Sequence, residues 1–338
     1  MSDDQRHILV LRFSALGDVA MTLPVVYSFA RSNPDVKFTM VTRPFFSRLF
    51  IDAPANLSVI GIDPKDYKGM AGLWRLFSRL GRLHPTDVAD LHNVLRSWMV
   101  DNYFRAKGVR VVMVDKMRSA RSSALKNKIR QKSFIDRYID VFKKLGLMVP
   151  EAYSALTPLN SKPPVEISHP AVGIAPFARY HTKTYPSEMM VEVIRLLCSN
   201  GIAVYLFGGP GDEADQLSGW ARMIDGCQSL AGLFPIEQEL RLMQEMDQIV
   251  SMDSANQHLA SLVGTPVVTL WGSTTPECGF SPFGQQDRGG AIVKGVGCQP
   301  CNVAGAPACP RSDFACMRSL EPEVVASRVL SALTNKKQ

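Results

Sequence analysis

Two short stretches combine side chains that can do chemistry with a backbone that can hold an anion. Leu11-Arg12-Phe13-Ser14-Ala15-Leu16-Gly17-Asp18 and Met252-Asp253-Ser254-Ala255-Asn256-Gln257-His258 each follow a strand-like run, pass through small residues and enter a helix-like segment. A strand–turn–helix step of this kind presents free backbone N–H groups to a negative ligand. Doubly wound sheets place their ligands at the carboxyl ends of strands, where Asp18 and Asp253 stand. Asp and Ser are also favoured helix N-caps, so capping is the competing reading of each. One such step in each half of the chain favours a shared site. A third stretch, Arg179 to Pro186, puts Lys183 just before a helix start. Its ammonium can neutralise a diphosphate or simply face water. Gly208-Gly209-Pro210-Gly211 either lets a nucleotide approach the backbone closely or forms a tight turn.

Several familiar chemistries are missing. Neither G-x-G-x-x-G nor G-x-x-x-x-G-K-[ST] occurs, nor H-E-x-x-H, nor G-x-S-x-G. A dehydrogenase fingerprint, a P-loop, a zincin and a nucleophile elbow are thereby excluded. No Asp-x-Asp pair is present to bracket a divalent ion on a diphosphate, and Lys183 is the residue that can stand in for one.

These residues need a scaffold, and the pattern of the chain supplies one. Its 338 residues, 46% hydrophobic and 20% charged, suit two domains that each bury a core. Ile8–Leu11, Lys37–Val41, Val109–Val114, Ala171–Ala175, Ala203–Phe207, Gln248–Met252 and Val267–Trp271 read as strands. Val19–Ala30, Phe134–Leu145, Pro186–Asn200, Pro235–Met246, Asn256–Val263 and Glu321–Leu333 read as helices. Alternation of this kind predicts parallel sheets covered on both faces. Ser161-Lys162-Pro163-Pro164 reads as the linker. The predicted division is therefore 1–165, 166–320 and a closing helix, 321–338, of the kind that packs back on a neighbouring domain. No run of about 18 apolar residues exists to span a bilayer. The opening residues lack a signal peptide's layout, so a cytoplasmic protein is expected.

Charge is divided unevenly. Residues 1–168 carry 26 basic and 15 acidic side chains, whereas 169–338 carry 12 and 16. The +11 half suits an acidic partner: nucleic acid, an anionic membrane face or a phosphorylated ligand. A solvated basic surface is the plain alternative.

The ordered set Arg12-x-Ser14-x-x-Gly17-Asp18, Lys183-x-Tyr185-Pro186, Leu206-Phe207-Gly208-Gly209, Asp253-Ser254-x-x-x-His258-Leu259-Ala260 and Leu270-Trp271-Gly272-x-Thr274-x-Pro276 resembles glycosyltransferase family 9, the ADP-heptose:lipopolysaccharide heptosyltransferases. The likeness runs from about residue 8 to 330. It implies a GT-B fold, two Rossmann-like parallel-sheet domains facing across a cleft, the first taking the acceptor and the second the nucleotide sugar, with the closing helix crossing back to the first. The implied activity is inverting, metal-independent transfer of a heptose from ADP-heptose or a similar donor to a lipopolysaccharide inner-core or lipid A acceptor. No cofactor and no nucleic acid are involved, and the enzyme touches the inner face of the cytoplasmic membrane peripherally.

At the matching positions Asp18 is the general base and Lys183 the cation on the diphosphate. Gly208, Gly209, Asp253, Ser254 and His258 are assigned to the donor, and Arg12, Ser14, Gly17, Arg96, Arg118 and Arg121 to the acceptor. Arg12 and the helix N-terminus both favour an ionised Asp18. The six basic residues within 118–132 suit acceptor phosphates, an anionic membrane face or a mobile solvated loop. One departure stands out. Ala255 and Asn256 follow Asp253-Ser254 where the family usually has glycine, which alters how backbone meets phosphate. Cys298, Cys301, Cys309 and Cys316 are spaced to hold a structural zinc, with buried thiols and disulfides as the other readings. Two further functions compete: a GT-B sugar-nucleotide epimerase, and a catalytically inactive basic protein bound to a membrane surface.

Overall fold

The computed structural model describes residues 5–118, 125, 127–154, 156, 158–285 and 290–335. These form two compact units, Met1–Arg118 with Phe134–Thr157, and Ser119–Ser133 with Pro158–Gln338. The first contains β1(His7–Leu11), α1(Leu16–Ser32), β2(Lys37–Thr42), α2(Pro44–Ser47), β3(Leu57–Gly61), α3(Gly69–Gly81), β4(Asp87–Asp90), α4(Leu95–Ala106), β5(Arg110–Met113) and α5(Phe134–Lys144). Its strands are all parallel, in the order β3-β2-β1-β4-β5. Helix α1 is buried continuously from Val19 to Ala30, as a helix sandwiched between layers must be. It packs on α5, where the Phe29 and Phe142 rings stack at 4.8 Å.

The second unit contains β6(Ala171–Ala175), α6(Ser187–Ser199), β7(Ala203–Leu206), α7(Asp212–Met223), β8(Cys227–Ser229), α8(Ile236–Glu245), β9(Gln248–Met252), α9(Ala255–Leu262), β10(Val267–Trp271), β11(Ala291–Val293), α10(Ala315–Arg318) and α11(Pro322–Asn335). The parallel order is β11-β10-β9-β6-β7-β8. Every residue of β1, β6, β9 and β10 is buried, the mark of strands covered on both faces.

Two segments far from its strands in the chain pack within the second unit. Helix α11 lies against α6, and its Val325, Ala326 and Val329 enter the second unit's core. The stretch 119–133 belongs with the second unit although it joins β5 to α5. The backbone explains this: Gln131 N–H donates to the Glu277 carbonyl at 2.7 Å. Gly279, at φ +88°, brings its bare Cα so close to the Lys132 carbonyl that a Cβ would lie 2.9 Å from it.

Both sheets reverse strand order at one point, between β1 and β4 in the first unit and between β6 and β9 in the second. Open α/β sheets bind ligands outside the carboxyl ends of the strands at such a switch point. The loops to inspect are therefore those after β1 and β4, and those after β6 and β9.

Candidate functional site

At the first switch point Arg12 leaves β1 and Asp18 stands in the first turn of α1. The guanidinium lies 2.5 Å from the carboxylate, and the same carboxylate oxygen accepts from the Ala15 N–H at 3.1 Å. Both contacts stabilise negative charge on Asp18. Its side chain remains 25% exposed, so a substrate hydroxyl can reach it, while that of Arg12 is 4% exposed. Arg12 also donates to the Leu91 carbonyl at 2.6 Å, tying the loop after β4 to β1. Burial opposes its charge, but Tyr138, Asp18 and Asp90 raise its affinity for the proton further.

Two residues not singled out in the sequence join this group. His92, after β4, lies 3.4 Å from the Ser14 hydroxyl. Burial, then the Arg12 and Lys116 charges, push its imidazole down to about 3, so it is neutral. Lys116, after β5, is pushed down to about 8 by burial and then by Arg12 and Arg118, against the pull of Asp18 and Asp90. The crowding of cations suits an anionic ligand. Arg118 donates to the Asn93 carbonyl, in the loop after β4, at 2.7 Å, whereas Arg96, in the first turn of α4, donates to the Pro64 carbonyl after β3 at 3.1 Å. Gly17 lies in the first turn of α1. Arg121 and its neighbour Lys126 lie outside the described residues.

At the second switch point the Lys183 ammonium, on a 3-10 turn after β6, is 2.7 Å from the Asp253 carboxylate, after β9. Both side chains are largely buried, at 13% and 4% exposure. Asp253 also accepts from the Thr274 hydroxyl at 2.6 Å and the Gln257 amide at 3.0 Å. Three loops thus converge on one carboxylate. Two glycines make room for them. A Cβ on Gly272 would lie 2.4 Å from the Thr182 carbonyl, and one on Gly305, at φ +98°, would lie 2.5 Å from the Lys183 stem. The requirement for glycine at 305 has no local signal in the sequence; only the folded loop creates it.

The other donor candidates divide. Ser254 is the N-cap residue of α9, but its side chain makes no cap hydrogen bond. His258 sits inside α9 at 5% exposure. Gly208 and Gly209 follow β7, and the Gly209 N–H already donates to the Glu213 carboxylate at 2.7 Å. With Asp212, Glu213 and Asp215 in the first turn of α7, this loop repels phosphate and suits a neutral, hydroxyl-bearing part of a nucleotide.

All four clustered cysteines are free thiols. Burial and then Cys298 push the Cys301 thiol up to about 12. Burial, Cys298 and Cys309 push Cys316 up to about 11. Among the described residues no three His, Cys, Asp or Glu side chains are grouped so as to hold a metal ion.

Two Rossmann-like sheets, each with an ion pair at its switch point, define an α/β protein of the GT-B class. Comparison with known proteins narrows the class. The model of glycosyltransferase family 9 (heptosyltransferase) matches residues 73–308. Lipopolysaccharide heptosyltransferase 3 of Escherichia coli is 26% identical over 285 residues, 76% of this chain and 81% of that one. Among solved structures, E. coli heptosyltransferase WaaC with ADP superposes with a TM-score of 0.70 at 19% identity, over 96% of this chain and 99% of the other. The family 9 glycosyltransferase from Veillonella parvula gives 0.75 at 17%, over 99% of both chains. The chain belongs to glycosyltransferase family 9, the heptosyltransferases.

Proposed function

We propose that this glycosyltransferase moves a heptose from ADP-heptose, or a closely similar nucleotide sugar, to a lipopolysaccharide inner-core or lipid A acceptor, with inversion and without a metal. The observation that carries the reading is the Lys183–Asp253 pair, a fixed cation at the second switch point. A departing diphosphate gathers negative charge, and a preorganised ammonium stabilises it without rearranging. Lys183 pairs with Asp253 through one N–H and has further donors for phosphate oxygens. The open start of α9 at Ser254 adds backbone N–H groups, and the acidic turn after Gly208-Gly209 receives the nucleoside.

Asp18 is the base in this reading. The acceptor hydroxyl forms a bond to the anomeric carbon as the carbon–oxygen bond to the diphosphate breaks. Its proton passes to the Asp18 carboxylate, and the electron pair leaves with ADP. Arg12, Lys116 and Arg118 give the first unit the positive field that a phosphorylated acceptor requires. The test is ADP release from ADP-heptose with and without a deacylated core acceptor. Release only with acceptor is expected. Turnover of the nucleotide sugar without acceptor would point to an epimerase, and no release from any nucleotide sugar would reject transfer.

A membrane contact fits an amphiphilic acceptor. Among the described residues no helix is long and apolar enough to cross a bilayer. However, Met70 and Trp74, one turn apart on α3, are 72% and 63% exposed. Lys65, Lys68, Arg75, Arg79 and Arg82 flank them in the sequence, and an apolar face accompanied by cations lies down on anionic headgroups. The protein should sediment with phosphatidylglycerol vesicles but not with phosphatidylcholine ones, and Trp74→Ser should release it. A wild-type protein that stays in the supernatant with both would remove the membrane from this reading.

A further inference from the structure

Gln257, in the first turn of α9, is fully buried. Its Nε2 donates to Asp253 Oδ1 at 3.0 Å and to the Phe280 carbonyl at 3.2 Å. Its Oε1 accepts from the Thr269 hydroxyl, in β10, at 3.0 Å. A carboxylate and a carbonyl can only accept, so the NH2 end must face Asp253 and Phe280 while the oxygen faces Thr269. Asp253 is thereby held at both oxygens. Gln257 donates to Oδ1, and the Thr274 hydroxyl donates at 2.6 Å to Oδ2, the oxygen that Lys183 meets at 2.7 Å. Two neutral donors on opposite oxygens fix the plane of the carboxylate before any substrate arrives. A bare Oδ1 would be a buried, unmatched acceptor, pulling the ammonium across to serve both oxygens.

We infer that Gln257 is a positioning residue for glycosyl transfer: its amide orients Asp253 and, through Asp253, aims the Lys183 ammonium. The inference rests on the reading of Lys183 as the cation on the departing diphosphate. A fixed cation acts at full strength on developing charge, whereas one that must first be re-aimed loses part of its effect. The donor at 257 must be neutral as well as correctly placed. A carboxylate there would stand against Asp253 and compete for the same ammonium. The titratable groups around it are Asp253, Lys183 beyond that carboxylate, and His258, whose Nε2 lies 3.5 Å from the Gln257 amide. The Cys278 thiol, pushed up chiefly by burial, also senses Asp253 and Glu277.

Gln257→Glu keeps the shape and changes the charge. Burial and Asp253 should raise the pKa of the introduced carboxyl, so its O–H still donates at low pH and is lost at high pH. The variant's kcat should therefore fall about 10-fold toward alkaline pH, through an ionisation that wild type lacks. Gln257→Leu should be slower at every pH by about the same factor, the worth of one hydrogen bond to a charged group. In a Lys183→Ala background Gln257→Leu should slow transfer no further, because no ammonium remains to be aimed. A purely structural glutamine would lower the melting temperature of both variants and leave kcat, its pH profile and this coupling unmoved. Two variants within twofold of wild-type kcat between about pH 6 and 9, or a Leu effect that persists in full without Lys183, would overturn the inference. Lys183→Ala with unchanged kcat would instead count against the cation itself. Calorimetric ADP binding gives a reading independent of turnover: the Gln257→Glu Kd should rise about threefold on the alkaline side relative to wild type.

Discussion

Replacing Asp18 by alanine should lower kcat for sugar transfer by about 10²–10⁴-fold, the usual worth of a positioned base. The Kd for ADP should stay within twofold, because the proposed nucleotide site is built from residues of the second unit. Arg12 is buried and 2.5 Å from the carboxylate, so removal also strands a cation. Asp18→Asn keeps the shape and a hydrogen-bond acceptor for Arg12. It should therefore recover much of any lost stability while remaining inactive. Steady-state ADP release together with calorimetric ADP binding decides the matter. Weakened ADP binding with turnover retained would reverse the assignment.

Lys183→Ala should lower kcat by about 10²–10³-fold, with a smaller change in the donor KM, if the ammonium acts mainly on charge that develops in the transition state. It should also destabilise the fold by about 3 kcal/mol, since Asp253 is left buried without its counter-charge. The two effects are separable. Lys183→Met combined with Asp253→Asn removes the stranded charge, so urea unfolding should return toward wild type while the rate stays low. A single variant with unchanged kcat would reduce Lys183 to a structural partner of Asp253.

Much of the scaffold was legible because buried parallel strands are largely apolar. Ala171–Ala175, Gln248–Met252 and Val267–Trp271 match their predicted bounds for that reason. β4 was not legible. Asp87-Val88-Ala89-Asp90 has two apolar residues, and its buried acids find their partners only in the folded chain: Arg6 and Thr86 for Asp87, and Ser97 with the His92 and Asn93 N–H groups for Asp90. The site divides in the same way. Arg12, Asp18, Lys183 and Asp253 show themselves through small-residue turns that flank apolar runs. Lys116 and His92 have no motif, and become neighbours only because β5 and β4 lie side by side. The demand for glycine at 305 arises from contacts between loops, which local patterning does not encode.

The chain's path has a practical consequence. It leaves the first unit after Arg118, returns at Phe134 and leaves again after Thr157, so neither half is a continuous length of polypeptide. A fragment starting near Pro158 would lack the strip carrying Gln131, and with it the backbone bond to the Glu277 carbonyl. Dissecting this enzyme by simple truncation at the proline-rich junction would yield a damaged piece, whereas circular permutation that keeps 119–133 attached would preserve it.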